Sequence, residues 1–282
     1  MKSGAKPLTR LPKRDFHRHF GGTINIPDFN LDSGLWNENQ NADGKDTECT
    51  AYFVADTFTD LKRKLFAPGF TYGATMFTEG IQPTTEGADP LAALQSSVIA
   101  GVLPSFYNTQ PQSELMDANW SNWQSFQRTA ALANTAVDVQ NALGFTDSFT
   151  SILSTIWTGQ VAVALCTPWY SEWMNAPGGI LPMPANVNDT SGLGWHCYSG
   201  KGKETISGKE HVITKPWIGA SWGDNGFGYM SQEVCNAVLT VPGTGALVLV
   251  FTGRRWLPLA KIVVTRPQTI GYTMPRLLQF GV

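Results

Sequence analysis

His211-Val-Ile-Thr-Lys-Pro-Trp-Ile-Gly-Ala-Ser-Trp-Gly-Asp-Asn-Gly-Phe-Gly-Tyr-Met230 decides how this 282-residue chain is read. Two short β-like runs, Glu210–Lys215 and Gly226–Met230, flank a segment punctuated by Gly219, Gly223 and Gly226. Glycine turns the chain at positive φ without steric cost, and an indole such as that of Trp222 covers a strand edge. The stretch therefore predicts a strand, a broad turn and a returning strand.

Upstream, residues 15–48 are rich in Asn, Asp and Gly, with short apolar patches at Ile24, Ile26, Phe29 and Leu31. They read as an extended arm laid over a surface. Ala51, Val54, Phe58, Leu61 and Leu65 then recur at helical spacing, with Lys62-Arg63-Lys64 at the end and Pro68-Gly69 as the expected stop. Asp89-Pro90 opens a second helix that Gly101 closes, and Asp147 to Trp157 is a third. Val161–Cys166 is a continuous apolar run, a buried strand, and from Gly178 onward short β-like runs follow: Gly194–Ser199, the two named above, Ala246–Phe251 and Lys261–Thr265. Residues 108–141 are expected to hold some helix. A helical first half and a β second half make an α+β protein: an arm over 1–45, a helical lobe over about 46–160, a β lobe over about 161–239, and a C-terminal β extension over 240–282.

Charged residues are only 15% of the chain and the net charge is −2, without a basic run interleaved with aromatics, so no nucleic-acid partner is expected. Met1–Pro7 is basic, but no apolar stretch of about 7–15 residues follows it, and no apolar run approaches roughly 18 residues. The expectation is a chain made in the cytoplasm without a signal peptide, and no membrane partner. The 4 cysteines, Cys49, Cys166, Cys197 and Cys235, are far apart with no C-x-x-C, which predicts reduced thiols, no metal site and no cofactor. Cys49 falls in the first turn of the strongest helix, where the dipole and free N–H groups favour a thiolate, although Asp43, Asp46 and Glu48 crowd the same turn and oppose it. Cys166, Cys197 and Cys235 read as packing residues, and His17 and His19 as surface residues of the arm.

The opening stretch resembles the segment that closes the cleft of papain-like cysteine peptidases of bacterial and viral type, written Lys-Asn-Ser-Trp-Gly-x-x-Trp-Gly-x-x-Gly-Tyr. Lys215, Gly219, Trp222, Gly223, Gly226 and Phe227 fall on that pattern without a gap. Cys-Thr-Ala-Tyr at 49–52 resembles the nucleophile segment, and Gly194-Trp195-His196-Cys197-Tyr198 the setting of the base. The likeness covers roughly residues 43–235. It implies a helical lobe carrying Cys49 as nucleophile, packed against an antiparallel β lobe carrying His196 as base, with Trp217 and Trp222 at the cleft between them. His211 is the competing histidine, set on the return strand.

Two positions depart from the family. Pro216 stands where the resemblance places the amide that orients the histidine, and Asp43 where it places the oxyanion glutamine, with Gln40 or Asn41 as substitutes only if the loop is rearranged. Two functions follow. One is a thiol hydrolase cleaving peptide bonds through Cys49 and His196. The other is a pseudoenzyme, the fold kept and the chemistry lost, serving as a structural or binding subunit of a larger assembly such as a bacteriophage virion. In the second, protein partners hold the arm and the tail, and the 48 residues before Cys49 leave no room for an inhibitory pro-segment. The departures favour the second.

Overall fold

The computed structural model describes residues 5–8, 26–36, 39–40, 44–81, 87–108, 113–143, 147–191 and 193–252. A mixed-length antiparallel sheet runs through the molecule in the order β2 (Asp138–Asn141), β7 (Gly245–Val250), β3 (Val163–Pro168), β4 (Trp195–Ile206), β5 (Lys209–Lys215), β6 (Gly228–Ser231). β1 (Phe29–Asn30) pairs with β4 at Gly202 and Lys203, just past the part of β4 that pairs with β3. Only glycine admits this crossing, because a Cβ on Gly202 would stand 2.0 Å from the Phe29 carbonyl oxygen.

Both faces of the central strands are covered, which is why β3 reads as an unbroken apolar run. Val163 and Leu165 point into a core shared with α6 (Ser148–Gly159), Trp169, Trp173 and Tyr198. Ala164 and Cys166, alternating with them, point into a second core with α1 (Cys49–Lys62), Trp36 and Trp217. Every residue of α1 from Cys49 to Thr59 is buried, so α1 is a central helix, flanked on its far side by α2 (Pro68–Glu79) and α3 (Pro90–Ile99).

The expected helices at Asp89-Pro90 and Asp147 are present, each capped by its aspartate: Asp89 accepts from the Ala92 amide at 3.0 Å and Asp147 from the Phe149 amide at 3.1 Å. Pro68-Gly69 does not stop the chain; Pro68 is the first residue of α2, where its fixed φ suits a helix start. The stretch 108–141 resolves, where described, into α4 (Glu114–Ala118), α5 (Ser125–Leu132) and β2. Residues 245–250, expected in a C-terminal extension, sit inside the sheet between β2 and β3, so neither the boundary at 239 nor that at 160 separates independent layers. Lys261–Thr265 lies outside the described residues. α7 (Gln232–Val238) carries Cys235, as a packing residue.

A buried charge cluster ties these layers together. The Lys201 ammonium on β4 lies 2.7 Å from Asp32 of the arm, 2.5 Å from Asp56 and 2.7 Å from Asp60 of α1. The three carboxylates converge closely enough to hold a cation, and that cation is Lys201. Lys215 on β5 adds a second, 2.7 Å from Asp32 and bonded to the Trp36 carbonyl. Burial works against every charge here. It pushes Asp56 up to about 7 despite Lys201, whereas the two ammoniums hold Asp32 down at about 2, and the carboxylates keep Lys201 protonated above its ordinary range.

Removing one partner of such a cluster leaves the others buried and uncompensated. Lys201→Met is expected to lower the unfolding free energy by about 3–5 kcal/mol. Urea titration of the full chain measures it, and a loss of less than about 1 kcal/mol, the range of an exposed pair, would show that the cluster is not what holds arm, helix and sheet together.

Candidate active site

Cys49 is the first residue of α1, as the sequence suggests, and it has no exposed surface. Its Sγ accepts a hydrogen bond from the Cys197 amide at 3.4 Å. Burial pushes the thiol well above its ordinary pKa; the Cys197 amide and the helix-start amides of Thr50 and Cys49 pull the other way and are outweighed. The sulfur at neutral pH is a protonated thiol. Glu48, immediately before it, is also buried and its pKa is raised, by burial first, despite Lys45, and further by Asp117 and Glu114. Lys45 pairs with Asp117 at 2.5 Å. The acidic crowding foreseen around Cys49 is thus built from Glu48 with Glu114 and Asp117, two residues distant in sequence. Asp43 lies outside the described residues. Gln40 is buried and donates its Nε2 to the Asp46 carbonyl at 2.9 Å.

His196 is the second residue of β4, 1% exposed, with its ring edge-on to Trp169 at 5.0 Å and near-parallel to Tyr198 at 6.0 Å. Its Nε2 lies 2.8 Å from the Pro216 carbonyl oxygen. A carbonyl only accepts, so Nε2 carries the proton and Nδ1 holds the lone pair. Pro216, expected to leave the imidazole without an orienting side-chain amide, thus orients it through its backbone carbonyl. Nδ1 is buried without a hydrogen-bond partner among the described residues, and no hydrogen bond joins it to Cys49. Cys49 meets β4 through Cys197, which shares its core, while His196 packs with Tyr198 and Trp169 of the other. Burial pushes His196 down to about 4, against the Pro216 bond. His211, also buried, has its Nδ1 2.9 Å from the Lys209 carbonyl and takes no part.

Trp217, expected at an open cleft, is buried with a positive φ of 62° that non-glycine residues rarely adopt. It sits between the arm and the central helix, 5.7 Å from Trp36 and 6.3 Å from Tyr52, with the ammoniums of Lys201 and Lys215 at 5.8 and 5.4 Å from its ring. The arm closes over it: the Gln40 amide donates to the Trp217 carbonyl and Asn39 bridges to Ile218. Trp222 is buried, donates to the Trp173 carbonyl at 3.0 Å and lies 5.9 Å from Trp169. The indole that covers the histidine is Trp169, whose position after β3 carries no sequence signal that marks it for that role.

With this geometry, comparison with known proteins places the fold. No protein-family model matches the chain and no curated protein matches it. Solved structures do: xylellain, a cysteine protease from Xylella fastidiosa, at 15% identity over 89% of this chain and 97% of that one, with a TM-score of 0.64. Digestive procathepsin L 3 of the Tenebrio molitor larval midgut matches at 15% identity over 89% and 76%, TM-score 0.61. The bromelain protease of Ananas comosus matches at 14% identity over 80% and 100%, TM-score 0.58. The chain has the papain-like α+β fold of the cysteine proteases. At these identities the likeness is one of fold.

His196 gives a pH test with a defined sign. Its folded pKa of about 4 lies below the ordinary 6.5, so the unfolded chain takes up a proton the folded chain refuses. The contribution is complete above 6.5 and is lost as pH falls toward 4, by up to about 1.4 kcal/mol per pH unit. His196→Gln, which can still donate to Pro216, should show a shallower fall in urea-derived stability across that window. Equal slopes would mean that His196 titrates normally in the folded protein.

Proposed function

We propose that this protein keeps the papain-like fold as architecture with its thiol chemistry silent, and acts as a structural or binding subunit of a larger assembly, a bacteriophage virion being the setting the sequence suggests. The observation that carries the reading is the burial of Cys49 as a protonated thiol, bonded to the Cys197 amide and not to His196. A thiol peptidase needs an ionised sulfur, an imidazole in contact with it, and access for a peptide. The arm closes over Trp217, and the charge cluster holds the arm down through Asp32.

One observation supports the other reading, an active Cys–His peptidase. The Pro216 carbonyl fixes the tautomer with the free lone pair on Nδ1, the state a base needs before it takes a thiol proton.

Labelling with a fluorescent vinyl sulfone across a pH series, read by peptide mapping because all 4 thiols are buried, separates the two. The expected result is labelling of Cys49 far slower than after unfolding in guanidinium, at a rate unchanged by His196→Ala. Trp217→Ala, which opens the cover, should speed it. Rapid labelling of Cys49 in the native wild type, abolished by His196→Ala, would establish a live thiolate–imidazolium pair and overturn the proposal.

A further inference from the structure

Large apolar side chains are left exposed mainly on the helical side of the molecule, Phe77, Ile99, Phe106, Phe126 and Leu132 among them, with fewer, such as Ile180 and Met183, in the β half. Phe77, Ile99 and Leu132 meet around one cavity. Phe77 at the end of α2 stacks on Trp120 at 5.6 Å and 23° between ring planes, and Arg128 of α5 lies over the same Trp120 ring, its guanidinium carbon 4.7 Å from it. Arg128 is anchored by Nη2 donating to the Trp120 carbonyl at 2.7 Å. Phe77, Trp120 and Arg128 line two adjoining cavities at once, of about 420 and 220 Å³. The trio is the ridge between them. The smaller cavity is walled further by Ile99 and Leu132, 65% and 55% exposed, and the larger by Ile81 and Ala118 beside the polar Asn119 and Ser121.

The charge of this ridge stands apart from its surroundings. Residues 26–252 carry 21 Asp and Glu against 9 Lys and Arg, yet among the described residues Arg128 is the sole ionisable group lining either cavity. No ion pair joins Arg128 to a carboxylate among the described residues; its Nη2 is bonded to the Trp120 carbonyl and its Nε is buried without a partner there. A guanidinium held rigid on an aromatic face and lining two clefts selects a carboxylate flanked by apolar groups. Apolar exposure of this kind on a folded surface marks a contact site.

We propose that this ridge is a docking site for a linear segment of a partner protein that places a carboxylate on Arg128 and an apolar side chain in each flanking cavity. The site shares no lining residue with the surroundings of Cys49 and does not depend on whether the thiol is silent. The thiol-labelling result therefore bears on that reading alone.

The test uses the full chain and a library of random linear peptides displayed on phage. Recovered peptides are expected to share an Asp or Glu flanked by apolar residues. Replacing that acid by its amide should weaken binding to the wild type by about tenfold, as for a charge-assisted hydrogen bond, and change binding to Arg128→Gln by less than about twofold. Because one half of this comparison changes only the peptide, it stands even if Arg128→Gln shifts Trp120. Phe77→Asp, at an exposed position whose folding circular dichroism can verify, should abolish recovery. Absence of enriched peptides, peptides that bind Phe77→Asp equally, or affinity indifferent to the carboxylate would each overturn the proposal. So would self-association of the free chain in sedimentation equilibrium that Phe77→Asp breaks, since a second copy would then be the occupant.

Discussion

The interaction on which the rest depends is the Lys201 ammonium buried among Asp32, Asp56 and Asp60. Its members come from three layers: Asp32 from the arm, Asp56 and Asp60 from the central helix, and Lys201 from the middle of the sheet. An ion in a low-dielectric interior tolerates neither loss of a partner nor a shift in geometry, so the cluster sets the register of all three layers at once. Lys215 extends the constraint to β5 and, through Trp36, to the part of the arm that covers Trp217. What covers Trp217 is therefore held by electrostatics made elsewhere, with the aromatic stack of Trp36, Tyr52 and Trp217 as its packing counterpart.

That arrangement accounts for the chemistry at Cys49. Its helix-start position would favour a thiolate in water, and the same position excludes water here, so desolvation outweighs the amide donors. His196 is subject to the same force with the opposite consequence, neutral with a free lone pair. Two groups that would need to stabilise each other's charge are each held uncharged by burial, in different cores on the two sides of β4.

Much of this was legible in the sequence, and what was hidden has physical reasons. The turn glycines, the caps at Asp89 and Asp147 and the apolar runs mark the α+β fold because they act locally. β4 was half hidden: the expected run stops at Ser199, and Lys201 beyond it is interior because carboxylates distant in sequence, Asp32, Asp56 and Asp60, pair with it. α2 was hidden because Pro68-Gly69 serves equally as an end and as a beginning. At the site, the lack of a side-chain amide on Pro216 was visible, whereas the bond its carbonyl makes to His196 was not, since every residue has a carbonyl. The burial of Cys49 depends on where the arm lies, and no local pattern around Trp36 or Trp217 announces that contact.

The position of β7 bears on how the chain comes to be folded. Among the described residues β2 pairs only with β7, register Asp138 to Val250, and β3 is bounded on that side by the same strand. A chain emerging from the ribosome exposes those edges of β2 and β3 until β7 appears, so this part of the sheet forms late, by long-range closure, and its apolar edges are open to pairing with other chains during synthesis. The helical layer, built from neighbours in sequence, is complete before that moment and offers the surface on which the late strand arrives.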